Sequence, residues 1–373
     1  LNEVTGVPAA EQNPDGLAVL KNSHENTAGT FLHFLETGSM PWNWDLADKR
    51  PLHEVMIEAI REVMTGSSSQ LFIDNFRQTL SEKNAIVRLC NQFPRAFLTE
   101  LLSLITPPVS GLSAKILSSH EMQQFSAPVW DIFSKRILSA SFTYFSGAEM
   151  PSDDGFRSYL LSTLPEKQAG MPVLAKMLNS ATKHSERNSG HDIVKQIQKP
   201  VSDSLKETEP VYIRNAGLIL LHPFLPLFFE GLNVAGQDAL KYPEKALQLL
   251  GFLVTGNLKT PEYDLVLPKI LCGIPVNKPL TEDIEISDGE SAEGLALLEA
   301  VIGHWEALRD TSPDGFRGSF LYRPGKLIRS IEGGWILQVE IRTWDILMDQ
   351  LPWGIAMIKL PWMIEMLRVE WNY

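Results

Sequence analysis

Apolar residues recur three and four apart through most of the first half of the chain, the spacing of helices that bury one face. Leu20, Phe31, Leu32 and Leu35 predict a helix over 17–36, closed by Gly38 and Pro41. Pro51 to Met64 reads as an amphipathic helix with Val55, Met56, Ala59, Ile60 and Val63 on one face, ended by Gly66. Further helices are expected over 71–80, 85–93, 96–105, 111–125, 129–145, 156–164 and 171–178, with Pro107-Pro108 closing the third of these pieces.

The pattern is lost over 179–210, which is polar and rich in Ser, Lys and Glu and reads as an interdomain linker or a solvated helix. It resumes with a dense apolar run at 211–232, where Val211 and Ile213 suggest a short strand and Leu218 onward a buried helix kinked at Pro223 and Pro226. Helices follow over 239–254, 263–272 and 295–308, the last with Leu295, Leu298, Val301, Ile302, Trp305 and Leu308 on one face; the acidic stretch 282–290 reads as a surface loop. After Thr311–Gly315 the period changes to two. Segments 319–323, 326–331 and 335–341, separated by Pro324-Gly325 and Gly333-Gly334, predict a three-stranded antiparallel meander. A short helix over 344–351 leads into the C-terminal stretch.

The expected architecture is therefore mainly α. It has a linker at 1–16, a helical domain at 17–178, the polar linker at 179–210, and an α+β domain at 211–373 containing the meander (319–341). No fixed repeat period is found. The polar opening of the sequence, without an initiator Met, suggests the middle of a longer protein.

The C-terminal stretch is the least generic part. Leu351-Pro352-Trp353 returns nine residues later as Leu360-Pro361-Trp362, and Trp371 follows at the same interval. Trp42 and Trp44, in the earlier PWNW element, form a second tryptophan pair. The apolar run between the triplets is too short for a membrane span, which needs about 20 residues. Such a segment either seals its own core or docks on a partner, and these nine residues are the candidate interface.

Composition narrows the classes. With 44% apolar and 21% charged residues the chain is an ordinary globular one, and its net charge of −12 argues against nucleic acid as a partner. Cys90 and Cys272 each sit in an apolar pattern and read as buried thiols of a reducing compartment. No secretory leader or membrane span is recognised.

Candidate chemistry is sparse. His53-Glu54 begins a zincin pattern but Ile57 replaces the second histidine, so no metal site is expected. Gly231 and Gly236 have phosphate-loop spacing, but Gln237-Asp238 stand where Lys and Ser/Thr are needed. His222 reads as a neutral, hydrogen-bonded core residue, and Asp345 and Asp349 as exposed or interface acids on one helix face. Neither a cofactor nor a catalytic centre is expected.

Several long segments resemble one family. These are IRNAGLILLHPFLPLFFEGL (213–232), PEYDLVLPKILCGIPV (261–276), LLEAVIGHWEALRDTSPDGFRGSFLYRPGKL (297–327) and WDILMDQLPWGIAMIKLPWMIEMLRVEW (344–371). FLETGSMPWNW (34–44) and AIVRLCNQFPRAFLTELL (85–102) extend the likeness to the first half. They resemble the tape-measure proteins of extracellular contractile injection systems, phage-tail-like particles that deliver toxins. The resemblance implies a non-enzymatic assembly protein that sets tube length and contacts inner-tube, tube-initiator or baseplate-hub proteins, with self-association left open. It implies a cytoplasmic location during assembly, then a place inside the extracellular particle. It carries no catalytic residues and raises a tension: 373 residues in one helix would span about 560 Å, yet 24 prolines and buried apolar helices point to compact domains.

Overall fold

The computed structural model describes residues 14–42, 44, 50–119, 125–163 and 209–371, with side chains described from residue 23 onward. The polar linker at 179–210, apart from Glu209 and Pro210, and the helix expected at 171–178 lie outside these residues.

Among the described residues the first half is built from helices alone: α1 (Pro14–Thr37), α2 (Leu52–Thr65), α3 (Ser69–Thr79), α4 (Lys83–Gln92), α5 (Arg95–Ile105), α6 (Pro107–Leu117), then Ala127–Gly147 and Asp153–Thr163. Each follows an apolar stripe. In α2 the buried set is Met56, Ile57, Ala59, Ile60 and Val63, with spacings of one, three and four that keep one face inward. One boundary differs from expectation. Pro107 and Pro108 open α6 instead of only ending α5, because a proline in the first helical turn lacks an N–H that would be unsatisfied there anyway. The stripes converge on a phenylalanine cluster: Phe31 lies within 6 Å of Phe76, Phe93 and Phe97, and Phe76 stands beside Phe142 and Phe145.

The second half is more broken. The apolar run at 216–231 is not one kinked helix but a 3₁₀ helix, Ala216–Leu221, followed after Pro223 by Leu225–Gly231. Helices Pro243–Thr255, Val266–Leu271 and Asp288–His304 complete the core wall. The last begins inside the stretch expected as an acidic loop. Ser287 accepts from the Glu290 N–H while the Glu290 carboxylate accepts from the Ser287 N–H, a capping box that converts acidic residues into a helix start. Leu295 lies outside the buried face, 38% exposed.

A five-stranded sheet stands in place of the three-stranded meander. Strands β1 (Val211–Ile213), β2 (Gly325–Arg329), β3 (Trp335–Val339), β4 (Met357–Ile358) and β5 (Leu367–Glu370) lie in the order β1-β2-β3-β5-β4. The β2–β3 hairpin appears as the turn residues require, with Gly333 and Gly334 both at positive φ. Residues 317–321, which overlap the first strand expected at 319–323, form a single π-helical turn. The reason is Arg323, whose guanidinium is enclosed and donates to Ser319 O at 2.7 Å, holding this turn coiled. Its place beside β2 is taken by β1, and β5 pairs with β3 in parallel, so the sheet is mixed.

Gly217 makes the closest approach in this half. A Cβ there would stand 1.7 Å from the Phe320 carbonyl oxygen, so only glycine lets the 3₁₀ helix rest against the π turn. Buried apolar side chains gather in two clusters, one spanning 28–160 and one 213–371.

Candidate functional site

The sequence-predicted tryptophans separate into two groups. Trp353, Trp362 and Trp371 turn their rings onto the second core, and each indole N–H finds an acceptor within the chain. Trp353 Nε1 donates to Leu220 O at 3.1 Å and Trp362 Nε1 to Leu271 O at 2.8 Å. These carbonyls end the 3₁₀ helix 216–221 and the helix 266–271, where the last C=O groups lack helical partners. The doubled Leu-Pro-Trp thus closes two helix ends with one device. Leu360 is buried and Leu351 half-buried, while Pro352 and Pro361 face solvent.

Trp371, 6% exposed, is buried deepest of the three, and its Nε1 donates to Asp345 Oδ2 at 2.9 Å. Asp345 is not an exposed acid. It is 1% exposed, and Arg323 Nη1 bonds both of its oxygens at 2.8 Å. The Arg323 guanidinium lies over the rings of Phe320, Trp344 and Trp371, so the charge is caged by aromatic faces. The Asp345 carboxylate must stay paired because an isolated buried charge is far costlier than a paired one. Asp349, the other acid of the 3₁₀ helix Thr343–Gln350 that carries Asp345, is exposed.

Trp42 and Trp44 stand elsewhere. Trp42 is 75% exposed, and the Trp44 indole N–H is shielded from solvent with no acceptor among the described residues. Both line a groove of about 470 Å³ whose opposite wall comes from the second half: Tyr212, Arg214, Tyr263 and Asp264, with the ends of β2 and β3 at Lys326 and Gln338. Tyr212, Lys326, Gln338 and Glu370 form a cross-strand row on the sheet face that turns away from the core. Arg214 Nη2 reaches Asp264 at 3.4 Å and lies over the Tyr322 ring. Burial raises the Asp264 carboxyl above its usual range despite Arg214, and raises the Tyr263 phenol to about 12.

What holds the two groove walls in place is a fully buried ionic cluster that the sequence reading missed. Arg88 of α4, Glu262 and Lys269 are all 0% exposed. Glu262 Oε1 accepts from Arg88 Nε at 3.0 Å and from Lys269 Nζ at 2.7 Å. Arg88 also donates to Leu35 O and to Asn277 O, and Lys269 to Val276 O. Burial pulls Lys269 below the ordinary lysine value, and Glu262 acts against that pull. A signal was present in the sequence: Arg88 and Lys269 are lone charges inside apolar runs (AIVRLC and LVLPKILC), and a charge is almost never buried without a partner.

Other candidates resolve simply. The Cys90 and Cys272 thiols are buried and pushed up, Cys90 to about 12, so neither is a ready nucleophile. His222 is half-buried, its Nδ1 lies 3.0 Å from Ile219 O, and burial lowers its pKa. Among the described residues no three His, Cys, Asp or Glu side chains come together as metal ligands, and no helix is long and apolar enough to cross a membrane.

Comparison with known families decides the rest. The family model of the contractile injection system tape measure protein matches residues 8–371. The chain belongs to that tape-measure family. No curated protein and no solved structure matches it. As a family member it is a component of a contractile injection particle.

Proposed function

We propose that this chain is a non-catalytic assembly protein that sets the length of the inner tube and contacts the tube initiator or the baseplate hub. The family match over 8–371 carries the reading. The groove beneath Trp42 is the surface we assign to the contact. It offers an exposed aromatic ring, an unanswered indole N–H and mixed charges at its edge, the kinds of group from which interface hot spots are built. The chain would act in the cytoplasm during assembly and afterwards travel inside the particle.

The compact build favours a second reading. A ruler that measures by extension would lie along the tube, but the longest described helix is 24 residues, which at about 1.5 Å per residue spans roughly 36 Å. In this reading the protein is a folded scaffold for baseplate assembly or cargo loading and measures nothing. Inserting a 30-residue helical segment at Gly190, in the polar stretch, separates the two. Electron micrographs would show tubes longer by roughly 45 Å for a helical ruler. Unchanged tube lengths at normal particle yield would sink the ruler and leave the scaffold.

A further inference from the structure

The two cores touch in a particular way. Among the described residues, Tyr263 is the one side chain from the second half that packs on the first core's apolar cluster, edge-on to Phe34 at 6.0 Å. The other described links are polar: the Arg88 cluster, Asn91 Nδ2 donating to Leu280 O at 3.0 Å, and Glu262 N donating to Gln92 Oε1 at 3.1 Å. Gly38, at φ +80°, lies directly against the cluster, where an added Cβ would come 2.8 Å from Glu262 Oε1 and 2.9 Å from Arg88 Nη2.

We propose that Arg88, Glu262 and Lys269 form a latch between two separately folded bodies, and that opening it lets them move apart while each remains folded. Three observations carry this. Arg88 is the sole member of the trio from the first half, whereas Glu262 and Lys269 belong to the same body and are joined at 2.7 Å. Withdrawing Arg88 therefore leaves a neutral pair behind and returns the guanidinium to water. Second, a buried ion pair gives back in Coulomb energy little more than desolvation costs, so the joint is weak beside the apolar clusters it connects. Third, the aromatic contact between the two halves is a single described pair, Tyr263 edge-on to Phe34. Opening also dismantles the groove, because Trp42 and Trp44 form one wall and Tyr212 and Lys326 the other. The latch does not depend on whether the protein measures tubes.

The test uses the full chain with spin labels on Ser103→Cys and Ala296→Cys, both exposed and one in each body; Cys90 and Cys272 are buried and stay unlabelled. The parent should give one narrow distance distribution and a single calorimetric transition. Arg88→Met should give a distribution broadened toward longer distances and two resolved transitions, with the helical circular dichroism retained. Gly38→Ala, which removes no charge, should broaden the distribution in the same way. A narrow distribution in either variant, or an Arg88→Met protein that melts both bodies together or fails to fold, would overturn the latch.

Discussion

The two cores are made by different means. The first, at 28–160, is closed by neighbours in sequence: successive helices present apolar stripes, and ten buried phenylalanines among the described residues fill the space between them. The second, at 213–371, is closed from a distance. Trp353 seals a carbonyl at Leu220, Trp362 one at Leu271, and β5 slots between β3 and β4. Packing a continuous stripe tolerates a lost side chain better than pinning together short, proline-broken pieces. The first core should therefore yield gradually to substitution and the second abruptly.

The sharpest way to break that contrast is at Asp345. Asp345→Ala leaves Arg323 buried without its carboxylate and deprives Trp371 of its acceptor, and a broken buried pair of this kind costs about 3–5 kcal/mol. Calorimetry should split the parent's single transition, with the second core melting far earlier than the phenylalanine core. Next comes Gly217→Ala, where backbone has to give way at Phe320; overpacking costs about 1–3 kcal/mol and should again fall on the second core alone, read by denaturant unfolding.

Trp42→Ala is expected to behave oppositely. An exposed side chain contributes within about 0.5 kcal/mol, so the melting temperature should hold while particle yield or tube attachment falls. A Trp42→Ala chain that assembles normally would remove the groove from the functional account. The smallest effect is on pH dependence. Burial lowers the pKa of His222 in the second core, so the folded state favours the neutral ring. Its contribution is fully present above the unfolded value of about 6.5 and is lost as pH falls through the lowered folded value. Denaturant midpoints measured between pH 7.5 and 5 should fall less steeply in His222→Gln than in the parent.

Sequence reading served the two cores unequally, and for the same reason. Met56, Ile60 and Val63 announce their helix because the partners they meet lie on neighbouring helices of the same kind. Val211 and Ile213, or Gly333-Gly334, likewise signal a strand and a hairpin locally. The parallel β3–β5 pairing has no local signature, since the register between Trp335 and Leu367 is set by how the intervening chain folds. Asp345 resembled any helix-face acid, and its burial follows from Arg323, 22 residues earlier. The tryptophan stretch was visible as unusual, but its division into helix-end seals and an exposed Trp42 rests on tertiary placement.

The placement of β5 also dictates an order of events. During synthesis the phenylalanine core has all its residues once position 160 has left the ribosome. The sheet must wait, because Leu367–Glu370 is an inner strand, and until it arrives β3 offers an unpaired edge above an uncovered apolar floor. For the time needed to make roughly thirty residues after β3, at about 5–20 residues per second, a growing chain would carry one finished body and one sticky, half-built one. Nascent copies held close together on one message would meet each other at that edge, so the interval of a few seconds before the strand slides home is when this protein most needs a chaperone's cover.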